Sequence, residues 1–126
     1  MRLQKHRDSS DALVQAAKEY IEAHCLEKFS LKKISGDLFV NGSYLLRLFK
    51  SQTGQTLLEY HNRVRCDKAK ELLLNTRLCI SEIAEAVGFV SSAHFSHVFK
   101  KITDSTPTSY RESVRGEKSP EGMNAG

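Results

Sequence analysis

Two short stretches of this 126-residue chain carry cations without any acid: Ser43–Gly54, which holds Arg47 and Lys50, and Ser91–Thr103, which holds Lys100 and Lys101. A guanidinium is a rigid fork of donors that matches paired acceptors, and an ammonium is a compact charge suited to phosphate. Clustered cations draw polyanions through long-range fields and counterion release, although a solvated helix face has the same composition. Elsewhere the charge is mixed. Residues 1–29 balance at zero, and Gln55–Leu78 sets Arg63, Arg65, Lys68, Lys70 and Arg77 against Glu59, Asp67 and Glu71. The net charge of +4, from 19 Lys+Arg and 15 Asp+Glu, is ordinary by itself. Its placement is the informative part.

Other chemistries find less support. Cys25, Cys66 and Cys79 are an odd number without C-x-x-C spacing, which disfavours a disulfide framework or a structural zinc site and suits a reducing compartment. His94 and His97 share a helical face at i and i+3, but no H-E-x-x-H, adjacent carboxylate or neighbouring cysteine accompanies them. No metal and no cofactor is expected. The chain lacks G-x-S-x-G, a phosphate-binding glycine loop and a paired-carboxylate signature, so no enzyme is expected. No apolar run approaches 18 residues and Met1–Ser10 has no apolar signal core, so the expectation is a cytoplasmic chain without membrane contact.

The elements that must position these cations are helices. Leu13, Val14, Ala17, Tyr20, Ile21 and then Leu31, Ile34, Leu38 recur at three-and-four spacing, and no segment sustains period-two alternation. Ser10, Ser30, Asn41, Thr56, Ser91 and Thr106 each precede an amphipathic run as candidate N-caps; Thr56 with Glu59 makes a capping box, and Pro107 suits a first helical position. The spacing predicts seven helices, over 11–25, 31–38, 43–53, 57–74, 81–87, 92–103 and 107–114. A flexible 1–10 and a disordered tail 115–126, rich in Gly, Pro and charge, complete the chain.

An internal repeat organises them. Leu45, Leu48, Phe49, Lys50 and Thr53 return fifty positions later as Phe95, Val98, Phe99, Lys100 and Thr103. Leu31, Ile34, Ser35 and Leu38 return at an offset of forty-nine as Ile80, Ile83, Ala84 and Val87, so the second copy has one extra residue in its turn. Each copy reads as helix, tight turn, helix, with Asn41-Gly42 in one turn and Gly88 in the other. That is the helix-turn-helix plan, whose second helix can enter a DNA major groove; a pair of core hairpins in a small bundle is the plainer alternative. Between the copies, Leu57–Leu74 has no Gly or Pro and predicts a continuous helix of about 27 Å. A rod of that size can space two recognition helices toward major-groove faces that recur about every 34 Å. The division expected is a lobe over 11–54, a linker helix over 55–76 and a second lobe over 77–114.

Ile83-Ala84-x-x-x-Gly88-Phe89, then Phe95-Ser96-x-x-Phe99-Lys100-Lys101, then Thr106-Pro107-x-x-Tyr110-Arg111 resembles the signature of the AraC/XylS family of bacterial transcription regulators. Ser43-Tyr44-Leu45-x-Arg47-Leu48-Phe49-Lys50 followed by Gly54 supports the likeness, which spans about residues 11–114. The resemblance implies an all-α, bilobed unit of two homeodomain-like three-helix lobes, with the third and sixth helices in adjacent major grooves of double-stranded DNA. The chain departs from the pattern at His97, where the family usually has Arg, and at Asp104, where it usually has Gly.

Within that frame the base-reading candidates are Ser43, Tyr44, Leu46 and Arg47 on helix three, and Ser92, Ala93, Ser96 and His97 on helix six. Arg47 stands first, because Arg bidentate to guanine O6 and N7 is the commonest specific base contact. Leu46 suits a thymine methyl, or equally a buried position. Phosphate candidates are Lys32, Lys50, Arg63, Ser81, Ser91, Lys100 and Lys101, helped by N–H groups at the helix starts near Leu31 and Ser81. The partner expected is double-stranded DNA, with RNA polymerase as a further one. The isolated chain is expected to be a monomer, and a dimer if it belongs to a longer protein. A helical protein-interaction module of the same fold stays open beside this reading; RNA binding finds no RNP or GXXG signature.

Overall fold

The computed structural model describes residues 2–115, and side chains from Ser9 to Val114. Among these residues it holds seven helices and no strand: α1 (Arg2–Ala23), α2 (Leu31–Asp37), α3 (Gly42–Thr53), α4 (Leu57–Asn75), α5 (Ile80–Ala86), α6 (Ser92–Thr103) and α7 (Pro107–Arg115). The expected helices match in number and order. The tail beyond Arg115 lies outside the described residues.

The largest departure is at the start. Ser10 does not cap a helix; it lies inside α1, which begins at Arg2. Residues 2–10 contain no Gly or Pro, so nothing in the backbone stops a helix propagating through them. The other N-caps lie where the sequence places them. Ser30 accepts from Lys33 N–H at 3.1 Å. Thr56 and Glu59 exchange both bonds of a capping box, at 3.0 and 2.8 Å, and Thr106 accepts from Ser109 N–H at 3.0 Å. The start of α5 shifts by one residue, because Cys79 takes the N-cap position and its N–H donates to Glu82 Oε1 at 2.9 Å.

The chain divides into two compact units between Val64 and Arg65, within α4. In the first, α1 contributes Val14, Ala17 and Ile21, α2 contributes Ile34, α3 contributes Leu45 and Phe49, and α4 contributes Leu57 to one buried cluster. Two tyrosine–carboxylate bonds fasten α1 to its neighbours: Tyr20 Oη donates to Asp37 at 2.6 Å and Tyr60 Oη donates to Glu22 at 2.5 Å. The Asp37 bond, followed by burial and the charge of Asp37, pushes the Tyr20 phenol up to about 12. In the second unit, Cys66, Ala69 and Leu73 of α4 pack with Ile83, Ala84, Val87, Phe89, Phe95, Val98 and Phe99. The helix read from the sequence as a spacer thus supplies part of each core.

Candidate nucleic-acid interface

Both second helices are built the same way. Asn41 caps α3 by accepting from Tyr44 N–H at 2.9 Å, and Ser91 caps α6 by accepting from His94 N–H at 3.1 Å. Each runs twelve residues and ends in a left-handed residue, Gly54 at φ 82° and Asp104 at φ 65°. Asp is among the non-glycine residues that tolerate this conformation. Thr53 and Thr103 repeat one pattern at the end, each hydroxyl donating to the carbonyl four residues back at 2.8 Å. The buried stripe is Leu45 and Phe49 in α3, and Phe95, Val98 and Phe99 in α6.

The turns correct one expectation. In the second copy the turn holds Gly88, as read, which takes φ 91°, and Phe89 N–H reaches back to Ala84 O at 2.9 Å. In the first copy the left-handed residue is not in Asn41-Gly42 but is Phe39, at φ 59°, with Val40 N–H bonded to Ser35 O at 3.0 Å. Gly42 instead opens α3, where a Cβ would meet Leu31 Cγ at 3.4 Å and Ser35 Oγ at 3.5 Å. Those are ordinary van der Waals distances, so α3 starts in contact with α2 without the site demanding glycine. Phe39 is 92% exposed, as is Val90 in the other turn, and neither was singled out from sequence, because periodicity cannot tell an apolar turn residue from a core one.

With the stripe buried, the opposite face of each helix is open. Ser43, Tyr44, Leu46, Arg47 and Lys50 are exposed on α3; Tyr44 is 41% and Leu46 38% accessible, so Leu46 is a surface residue. On α6, Ser92, Ala93, His97 and Lys100 are exposed and Ser96 is half-buried. Ser96, His97, Lys100 and Lys101 line one shallow depression with Thr106 at the foot of α7. The base-reading candidates therefore gather on one face of each second helix.

The remaining candidates are spread more widely. Lys32 is exposed in the first turn of α2 and Arg63 on α4. Ser81 is exposed in the first turn of α5, its Oγ 3.3 Å from Cys79 Sγ, and Ser91 is engaged as the α6 cap. Lys50 Nζ donates to Gly54 O at 3.2 Å, so its ammonium is held at the C-terminal end of α3. Arg65, counted with the basic residues of α4, is buried at 7% exposure with its guanidinium 5.2 Å from the Phe89 ring centroid. It belongs to the core of its unit rather than to a charged surface. His94 lies edge-on to the same ring, with centroids 5.4 Å apart. Among the described residues no group of three or more His, Cys, Asp or Glu is placed to hold a metal, and no helix is long and apolar enough to cross a membrane.

Arg111 gains a role that composition did not suggest. Its Nε donates to Leu73 O at 3.0 Å and Nη2 to Thr76 O at 3.3 Å, tying α7 to the carbonyl end of α4. Leu73 lies in the last turn of α4, and a cation is the group the helix dipole favours at that end. The closing Pro-x-x-Tyr-Arg motif is therefore at least in part a fastening.

Known proteins share both sequence and arrangement. A family model described as a helix-turn-helix domain matches residues 34–113. The xylose operon regulatory protein of Escherichia coli K12 is 32% identical over 107 residues, covering 85% of this chain and 27% of that protein. The chain spans less than half the length of the curated relatives it matches. Among solved structures, the C-terminal domain of AraT, a response regulator from Geobacillus stearothermophilus, is 34% identical with a TM-score of 0.74, covering 90% of this chain and 93% of that one. A transcriptional regulator with an AraC-type DNA-binding domain, from Chromobacterium violaceum, is 29% identical with a TM-score of 0.79, covering 89% and 99%. Since the family match takes in both turns and both second helices, and the likeness extends through nearly the whole of solved AraC-type domains, this chain belongs to the AraC/XylS family of helix-turn-helix transcription regulators.

Proposed function

We propose that the chain binds double-stranded DNA sequence-specifically as the DNA-reading part of a transcription regulator, with α3 and α6 each entering a major groove. One observation carries the reading: two helix-turn-helix units each turn an acid-free second helix outward, with Ser43, Tyr44, Leu46 and Arg47 exposed in one, and Ser92, Ala93 and His97 exposed beside half-buried Ser96 in the other. Groups that reach base edges give specificity, and Lys32, Lys50, Arg63, Ser81, Ser91, Lys100 and Lys101 position the domain on phosphates without reading sequence. The work is binding, so no catalytic step is assigned. It places the chain with the chromosome in the cytoplasm, with RNA polymerase as the further partner of a promoter-bound regulator. The chain alone binds as a monomer, since each unit already brings a recognition helix of its own.

The test is selection of bound duplexes from a random library, followed by titration of the enriched site. Arg47→Ala should weaken binding to that site by about 1–3 kcal/mol and relax one base position. Unchanged affinity and an unchanged preference at every position would remove α3 from the groove. Binding indifferent to salt would point instead to a protein-interaction module.

A further inference from the structure

Because α3 and α6 have the same length, the same type of cap at each end and the same threonine bonds in the last turn, their residues correspond one to one at an offset of fifty. With equivalent backbones, any difference in what the two helices recognise comes from side chains. Leu45 and Phe49 correspond to Phe95 and Phe99 and are buried in both. The outward residues differ in kind: Ser43 against Ala93, Tyr44 against His94, Leu46 against Ser96 and Arg47 against His97.

We propose that the two lobes divide the labour on DNA, α3 reading bases and α6 gripping the backbone, and that the Arg47/His97 position sets the difference. This rests on the DNA-binding reading above. On α3 the exposed face combines a guanidinium fork, which matches guanine O6 and N7, with an exposed Leu46 suited to a thymine methyl. On α6 the same surface is small. Ala93 has no polar group, Ser96 is half-buried, and His94, though exposed, packs edge-to-face with the buried Phe89 ring at a centroid separation of 5.4 Å. His94 and His97 are the longest polar side chains on that face, and both are shorter than Arg and cannot offer the two parallel donors of a guanidinium. At the other end of the helix the balance reverses. α6 carries Lys100 and Lys101, both exposed, in the last turn, where α3 has Lys50, bonded to Gly54 O, and Ser51. Base-reading capacity is concentrated on α3 and phosphate-binding charge on α6.

The chain should therefore select a site with one sharply determined block, containing a guanine set by Arg47, and a second region with little base preference. Restoring the guanidinium by His97→Arg should create a second guanine preference, tightening sites that carry it by about tenfold. Lys100→Ala should weaken all duplexes alike and leave the selected sequence unchanged. The experiment is parallel selection from one random duplex library with the wild type, Arg47→Ala, His97→Arg and Lys100→Ala, each shown to be folded by circular dichroism. One sharp block in the wild type, lost in Arg47→Ala, and a second guanine gained in His97→Arg supports the proposal. Two equally sharp blocks in the wild type overturn it, as does a folded His97→Arg whose selected sites match the wild type. If the wild type enriches nothing, the DNA-binding reading itself fails and takes the proposal with it.

Discussion

At the scale of single residues, Phe39 is the place where the sequence departs from what the backbone prefers. A bulky L-residue at φ 59° is strained, and with the ring 92% exposed there is little burial to offset it. Phe39→Gly is therefore expected to stabilise the chain by about 0.5–1 kcal/mol, read as a raised midpoint in urea with an unchanged slope. Destabilisation by the same substitution would show that the exposed ring makes contacts that the backbone argument omits. Phe99 is the opposite case. It is wholly buried and lies among Phe95 and Tyr110 at centroid separations of 5.6 Å, so Phe99→Ala should cost about 3–5 kcal/mol in the same measurement.

Helix ends decide stability at the next scale. The carboxylate of Glu82 accepts the Cys79 N–H at the start of α5, and that bond, with the Cys79 side chain adding to it, holds its pKa below the usual 4.5. The stabilisation is present above 4.5 and is lost as pH falls through the lowered value in the folded chain. Thermal melting of wild type and Glu82→Gln between neutral and acidic pH should show the larger acid loss in the wild type; parallel curves would mean that the cap contributes nothing. At the other end of the unit, Arg111 holds the carbonyls of Leu73 and Thr76. Arg111→Ala should cost about 1–3 kcal/mol, and Arg111→Lys should recover only part of it, since an ammonium lacks the fork that serves both acceptors.

For the whole molecule the deciding quantity is the response of DNA affinity to salt. The five cations assigned to phosphates, Lys32, Lys50, Arg63, Lys100 and Lys101, set an expected slope of log affinity against log salt of about −4 to −5. Removing Lys100 should flatten it by about one, whereas Arg47→Ala should change preference among sequences more than slope. A slope near zero would mean that the basic residues do not meet phosphate at all.

How much of this was legible beforehand depends on how local the cause is. Five of the seven helix starts, those of α2, α3, α4, α6 and α7, follow from a hydroxyl or an amide at the right position, because capping is settled within four residues. The repeat and the buried stripes of α3 and α6 were legible for the same reason: an amphipathic period of three and four residues dictates which side turns inward once any core exists. The exposed face carrying Arg47 follows from that stripe. What sequence reading missed depends on chain neighbours far apart in number. Arg65 looked like one more surface cation until Phe89 from beyond the next helix came to lie under its guanidinium. Leu46 was open to either side until α1 and α2 covered only the Leu45–Phe49 stripe. Phe39 was not singled out in the sequence, and only the closure of the α2–α3 turn, with Gly42 in contact with Leu31, placed it left-handed and outward. The sequence by itself therefore determined the helices, their order, their repeat and the polar face each recognition helix offers, since these depend on contacts within a turn or two. The tertiary structure alone decided which cations are surface and which are core, and which apolar residues are left in solvent, because burial is a property of whatever the fold brings opposite.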